Sequence, residues 1–289
     1  MGFLTPGLAM HRTVRKGLFW KFLRHKSGSL GLALSLVFLL MALFGPGLAP
    51  YDPSAADYSH TLSGISTQHW LGTDNFGRDL LSRTLVGARY SLGIGILATL
   101  IGAGVGGVWG LWSGYAGGFW DSLSMRLVDV LLAFPGLLPA IGLIAITGPG
   151  LLPVIMASAF FSVPIFARLV RGSTLQMKER AYIEAAHALG AGSRRVMRVH
   201  LLPSVLAPVL VYVTLRIGTV MLIASSLSFL GLGVQPPTPE WGAMLSDAQL
   251  YLATDPLLAI APGLAITLTV LGLNLLGDGL RDTLDPKLK

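Results

Sequence analysis

EAAHALGAGSRRVMRVHLLP, Glu184 to Pro203, is the stretch on which the reading of this chain turns: a polar, strongly basic island between long apolar segments. Ala181 to Leu189 is a run of good helix formers, and Gly190 readily takes the left-handed conformation that ends a helix. The pattern predicts a short helix, a glycine turn and a basic connector. Small side chains at Ala185, Ala186 and Ala188 let such a helix lie close against another surface, and Glu184 offers one charge for a specific pairing. Arg194, Arg195 and Arg198 mark the connector as cytoplasmic, and Pro203 suits the first turn of the next helix, where a missing N–H costs nothing. By itself the island fits two readings equally: an ordinary cytoplasmic loop, or a surface gripped by a soluble partner.

The segments on either side set the class. Of 289 residues, 53% are hydrophobic and only 12% charged, with a mean hydropathy of +0.67, a balance that excludes an ordinary soluble domain. The chain reads as an all-α integral membrane protein. It contains no cysteine, which removes disulfide frameworks, thiol chemistry and Cys-ligated metal. The net charge of +7 gathers beside apolar segments, a pattern of membrane orientation rather than of nucleic-acid binding.

Hydropathy predicts six transmembrane helices. Residues 1–29 form a basic cytoplasmic N-terminus carrying Arg12, Arg15, Lys16, Lys21, Arg24 and Lys26, and residues 30–49 form the first span. A cleaved signal peptide ending near Ala49 is the competing reading, but about 20 apolar residues suffice to cross the hydrocarbon core. Residues 50–89 form an external segment, with a turn and a short amphipathic helix expected between Gly72 and Arg83. A five-helix core occupies 90–280, and 281–289 form a cytoplasmic tail. In the second span, Tyr90 to Trp112, Gly102, Gly106 and Gly110 put a smooth stripe on one face. In the third, Ser122 to Ile146, Arg126 and Asp129 are spaced to pair, and Pro135 and Pro139 predict a kink at a packing or pathway position.

The fourth span, Leu151 to Val170, leads into the cytoplasmic segment 171–203, and the fifth and sixth run over Ser204 to Leu230 and Pro256 to Leu276. Arg216 falls about 18 Å along the fifth span, near the bilayer centre. Such a charge costs about 2.5–3.5 kcal/mol on insertion scales, so it is expected to line a translocation path or to be paired with a carboxylate. Asn274 near the inner end of the sixth span and Pro135 are the other pathway candidates.

Four stretches, in order, resemble a known family. Glu184, Ala185, Ala186, Gly190, Leu202 and Pro203 resemble the EAA loop of permease subunits of binding-protein-dependent ABC importers. LGTDNFGRDLLSR (Leu71 to Arg83), LSFLGLGVQPPTPEWGAML (Leu227 to Leu245) and LLGDGLRDTLDP (Leu275 to Pro286) narrow the likeness to the C-type permease of dipeptide, oligopeptide and nickel importers. His200 and Ser204 depart from that family's usual Ile and Asn.

The resemblance implies a type I importer permease with a MetI-like core and an extra N-terminal helix, in a prokaryotic inner membrane with both termini cytoplasmic. It implies a second homologous permease, two cytoplasmic ATPase subunits that bind ATP and magnesium, an external binding protein that delivers substrate, and surrounding membrane lipid. The six EAA-loop residues would couple the ATPases to the spans. No cofactor or metal is expected in this chain.

No GxxxxGK[ST] stretch is present, so a P-loop is not expected here, and no clustered histidine set or catalytic triad spacing appears. His60 and His69, in the external segment, read as solvated residues rather than as metal contacts. The expected function is the permease of an ATP-driven importer of di- or oligopeptides. Nickel or another small solute is the alternative cargo. An ion-coupled secondary carrier using Arg216, Arg126 and Asp129 is the rival from another class.

Overall fold

In the computed structural model, Phe22 and residues 25–284 are described. The basic residues from Arg12 to Arg24, with Lys287 and Lys289, lie outside them. Among the described residues the main elements are helices: α1 (Lys26–Leu48), α2 (Leu80–Ala116), α3 (Gly118–Ala133), α4 (Leu137–Thr147), α5 (Leu151–Lys178), α6 (Ala181–Ala188), α7 (Ser193–Phe229), α8 (Trp241–Ala248) and α9 (Leu257–Leu284). Among the described residues the sole β-type pairing is an isolated bridge between Thr73 and Asp79.

Helices α1, α2, α5, α7 and α9 are each long and apolar enough to cross a membrane, and α3 with α4, bent by 87° at their break, adds a sixth if the pair crosses as one span. The break follows from Pro135. A residue before proline is pushed out of the helical region, and Phe134 is extended at φ −81°, ψ 134°.

The glycine stripe of α2 decides the packing of the centre. A Cβ on Gly102, Gly106 or Gly110 would run into Ser162, Val163 or Ala167 of α5, so the two backbones meet at a distance only glycine permits. Below them, a Cβ on Gly114 would stand 3.0 Å from the Arg171 carbonyl and the Thr174 side chain. Ile94 and Ala98 of α2, Val154 and Phe161 of α5 and Val220 of α7 form the main buried cluster, joined by Ala140 and Ile144 of α4.

Helix α2 begins at Leu80, ten residues before the expected start of the second span at Tyr90, so residues 80–89 are helical. Asp79 caps it by accepting hydrogen bonds from the Ser82 N–H at 2.7 Å and the Ser82 hydroxyl at 2.6 Å. No separate amphipathic helix forms between Gly72 and Arg83. Arg83 and Arg89 break the hydropathy pattern without breaking the helix, because Arg83 is buried beside Asp74 with 3.3 Å between Nε and Oδ2.

The motifs around Asp74 and Glu240 interlock. Arg78 donates to Asp74 at 2.6 Å, and Arg83 reaches the carbonyls of Pro53 at 2.9 Å and Pro237 at 3.2 Å. Fully buried Trp241 donates its indole N–H to the Thr84 carbonyl at 3.0 Å, while buried Glu240 caps α8 and accepts from Ser91 at 3.0 Å. Burial pushes the Asp247 carboxyl up, against the pull of nearby Arg78 and Arg83. On the exposed rim, hydrogen bonds from Ser59 and His60 hold Asp57 down at about 2. His60 and His69 are taken up by Asp57 and Asp79, at 2.8 and 2.9 Å.

Candidate functional site

Helix α6 hangs at the end of the bundle where α2, α5 and α7 converge. Its alanines favour helix, and one apolar residue fixes which side faces inward. Ile183 is buried against Val196 and Leu201, with Leu111, Tyr115 and Met177 closing around them. His187 stacks at 6.5 Å on Tyr115 of α2, whose carbonyl accepts from Lys178 at 2.7 Å.

Tyr182 packs 6.3 Å from His200 and shares a 3.4 Å hydroxyl contact with Ser204. His200 and Ser204 are the two positions that depart from the family pattern, and here both meet the same tyrosine.

The outer face of α6 is bare. Glu184 and Ala185 are exposed, Ala186 is half-buried, and Leu189 is 89% exposed. Glu184 lies in the first turn, where the helix dipole favours a carboxylate, and no ion pair holds it among the described residues. The helix ends in a Schellman motif: the Gly190 N–H donates to His187 at 2.9 Å and the Ala191 N–H to Ala186 at 3.0 Å. Gly190 has φ +83°, which explains a glycine at that position.

The basic connector expected after Gly190 is instead helical. Arg194, Arg195 and Arg198 ride on the first turns of α7, which runs unbroken from Ser193. Pro203 therefore lies inside a long helix rather than at its start. A proline leaves the carbonyl four residues back without its donor, and the preceding Val196–Leu201 stretch is π-helical, with the Leu202 N–H reaching back to Met197. Leu202 and Pro203 are exposed, and the buried anchor is their neighbour Leu201. Ile183 and Leu201 were not singled out in the sequence. The signal for Ile183 was a lone β-branched residue in an alanine-rich helix.

The pathway candidates do not gather into one site. Arg216 is 9% exposed, and its Nε donates to the Ser162 hydroxyl of α5 at 3.4 Å; no carboxylate pairs with it among the described residues. Asn274 faces a different side of α7, where a Cβ on Gly218 would stand 3.6 Å from its Oδ1. Pro135 is exposed at the break between α3 and α4. Asp129 pairs with Arg168 of α5 instead of with Arg126, and Arg171 grips Asp121 of α3.

A family described as binding-protein-dependent transport system inner membrane component matches residues 106–289, which contain this whole site. The chain belongs to that family. The N-terminal transmembrane domain of oligopeptide transport permease C matches residues 15–64, which include α1. The chain is 50% identical over 273 residues to the glutathione transport system permease protein GsiD of Escherichia coli O1:K1, covering 94% of this chain and 90% of that protein. The protein of that name from Shigella boydii serotype 4 matches with the same identity and coverage. This permease is thus an all-helical inner-membrane component with a MetI-like core and an added N-terminal helix.

Proposed function

We propose that this permease carries short peptides of the glutathione class inward, and that α6 is the contact through which ATP binding on separate subunits moves the spans. The observation that carries the coupling reading is the contrast across one helix. Ile183 locks α6 to three spans, while Glu184, Ala185 and Leu189 stay free for a soluble partner. Glu184, Ala185, Ala186 and Gly190 form and shape the docking face, and Leu202 and Pro203 flank it at the root of α7. The cargo reading draws on the 50% identity to a glutathione permease.

In this reading the permease pairs with a second, related one, two ATPases hold ATP and magnesium, and an external binding protein delivers the peptide. The chain holds no ATPase site of its own, and both termini face the cytoplasm. Closure of the ATPases on ATP pushes α6, and the push passes through Ile183 to α2, α5 and α7. Arg216 meets a charged group of the second permease or of the cargo during the cycle.

Reconstituted vesicles test the proposal. Uptake of labelled glutathione and dipeptides should require both ATP and the ATPase subunits. Gradient-driven uptake by this chain alone would overturn it in favour of an ion-coupled carrier. Arg216→Met with normal assembly and unchanged uptake would remove Arg216 from the cycle.

A further inference from the structure

Two histidines in the segment between α1 and α2 are held in the same way. His60 Nδ1 lies 2.8 Å from Asp57 Oδ2, and His69 Nδ1 lies 2.9 Å from Asp79 Oδ1. A carboxylate only accepts, so in each ring Nδ1 carries the proton and Nε2 the lone pair. Neither Nε2 has a hydrogen-bond partner among the described residues. A solvated histidine needs no carboxylate behind it, whereas metal-bound histidines almost always have one, which fixes the ring and makes the free nitrogen more basic.

The two rings are also neighbours, with centres 6.1 Å apart and planes inclined at 52°. Two imidazoles whose nitrogens lie about 2.1 Å from one shared ion stand roughly 5.3 Å apart by ring centre at a tetrahedral angle and roughly 6.5 Å apart when opposed. The observed separation lies inside that range. Both residues sit on a hydrogen-bonded frame: the Thr73 hydroxyl donates to the His60 carbonyl, the His69 N–H donates to Ser66 Oγ at 2.9 Å, and Tyr51 packs 4.9 Å from the His69 ring. The His60 side chain is 48% exposed, which opens the pair to an ion from solvent and leaves that ring room to turn onto it. No group of three or more metal-binding side chains forms among the described residues, so water completes the shell.

We propose that His60 and His69 bind one divalent cation of the zinc, nickel or copper class through their Nε2 atoms, with Asp57 and Asp79 as positioning carboxylates. Imidazole suits that class, whereas magnesium and calcium take oxygen ligands. Two protein ligands and a solvent-facing ring make the site exchangeable rather than structural. An ion there staples the turn at residues 57–60 to the loop at 66–69, beside the Asp79 cap of α2. The assignment is independent of the cargo and coupling readings.

The test uses the full-length permease in detergent, free of any affinity tag and treated with chelator. Titration calorimetry with zinc chloride should show one saturable site per chain, and zinc but not magnesium should raise the melting temperature. His60→Gln and His69→Gln should each weaken zinc binding at least tenfold, and Asp57→Asn, which leaves both ligands in place, about tenfold. His60 and Asp57 are half-exposed, so these two variants should keep the metal-free melting temperature and separate lost binding from lost structure. Absence of a saturable site would overturn the proposal. Zinc binding that survives both histidine variants would also overturn it, placing the ion on other histidines of the chain. Loss in one histidine variant alone would overturn the paired site, and unchanged affinity in Asp57→Asn would overturn the positioning role.

Discussion

Arg171 of α5 donates two hydrogen bonds to Asp121 of α3, from Nε at 2.7 Å and from Nη2 at 2.6 Å, and Ser113 of α2 adds a third at 2.7 Å. One carboxylate therefore ties together three helices at the end of the bundle that carries α6. The two partners differ in burial: Asp121 is 11% exposed at its side chain and Arg171 31%. Losing the arginine strands a buried carboxylate, whereas losing the charge on Asp121 leaves an arginine that can still reach water. Arg171→Met should therefore destabilise the permease by about 2 kcal/mol, and Asp121→Asn by less. Thermal unfolding in detergent compares the two.

Gly190 turns the chain at φ +83° between α6 and α7. A β-branched side chain is strained there, while asparagine tolerates the conformation. Gly190→Val should leave insertion intact and reduce uptake per ATP hydrolysed severalfold, with Gly190→Asn close to wild type. The coupling ratio in vesicles is the measurement; equal ratios for both variants would remove the turn from the coupling path.

Opposite sides of α6 should respond differently to truncation. Ile183→Ala empties a buried site and should cost about 2–4 kcal/mol of stability. Leu189→Ala, on an 89% exposed side chain, should change stability by no more than about 0.5 kcal/mol. It should nonetheless weaken association with the ATPase, measured by co-purification or by titration of the subunit onto the permease.

Neighbouring glycines of α2 supply an internal control. Gly106 meets the α5 backbone, whereas nothing lies within 4 Å of a Cβ placed on Gly104. Gly106→Val should force α2 and α5 apart and lose about 3 kcal/mol or more, while Gly104→Ala should be neutral or slightly stabilising. Melting temperatures of the two purified variants decide it.

Much of this permease was legible in its residues because hydropathy and local backbone preference act over short distances. Apolar runs of sufficient length specify membrane-crossing helices, Gly190 specifies the end of α6, and Pro135 specifies a break, each through the chain immediately around it. The four motifs pointed to the family by resemblance, and two of them, around Asp74 and Glu240, pack together into one cap.

What the sequence could not supply were relations between distant residues. Arg83 was expected at the end of a short amphipathic helix, but Asp74 and the carbonyls of Pro53 and Pro237 give it partners inside the start of α2. Asp129 had a partner three residues away by spacing, but Arg168 competes from another helix, and the crossing of α3 over α5 decides the pairing. The sequence by itself determined the spans, the turn and the break, since those depend on local torsions and on transfer from water. Only the tertiary structure decided which charges meet, which face of α6 is buried, and that Ile183 is its anchor, because burial and ion pairing depend on distances between helices that no local pattern encodes.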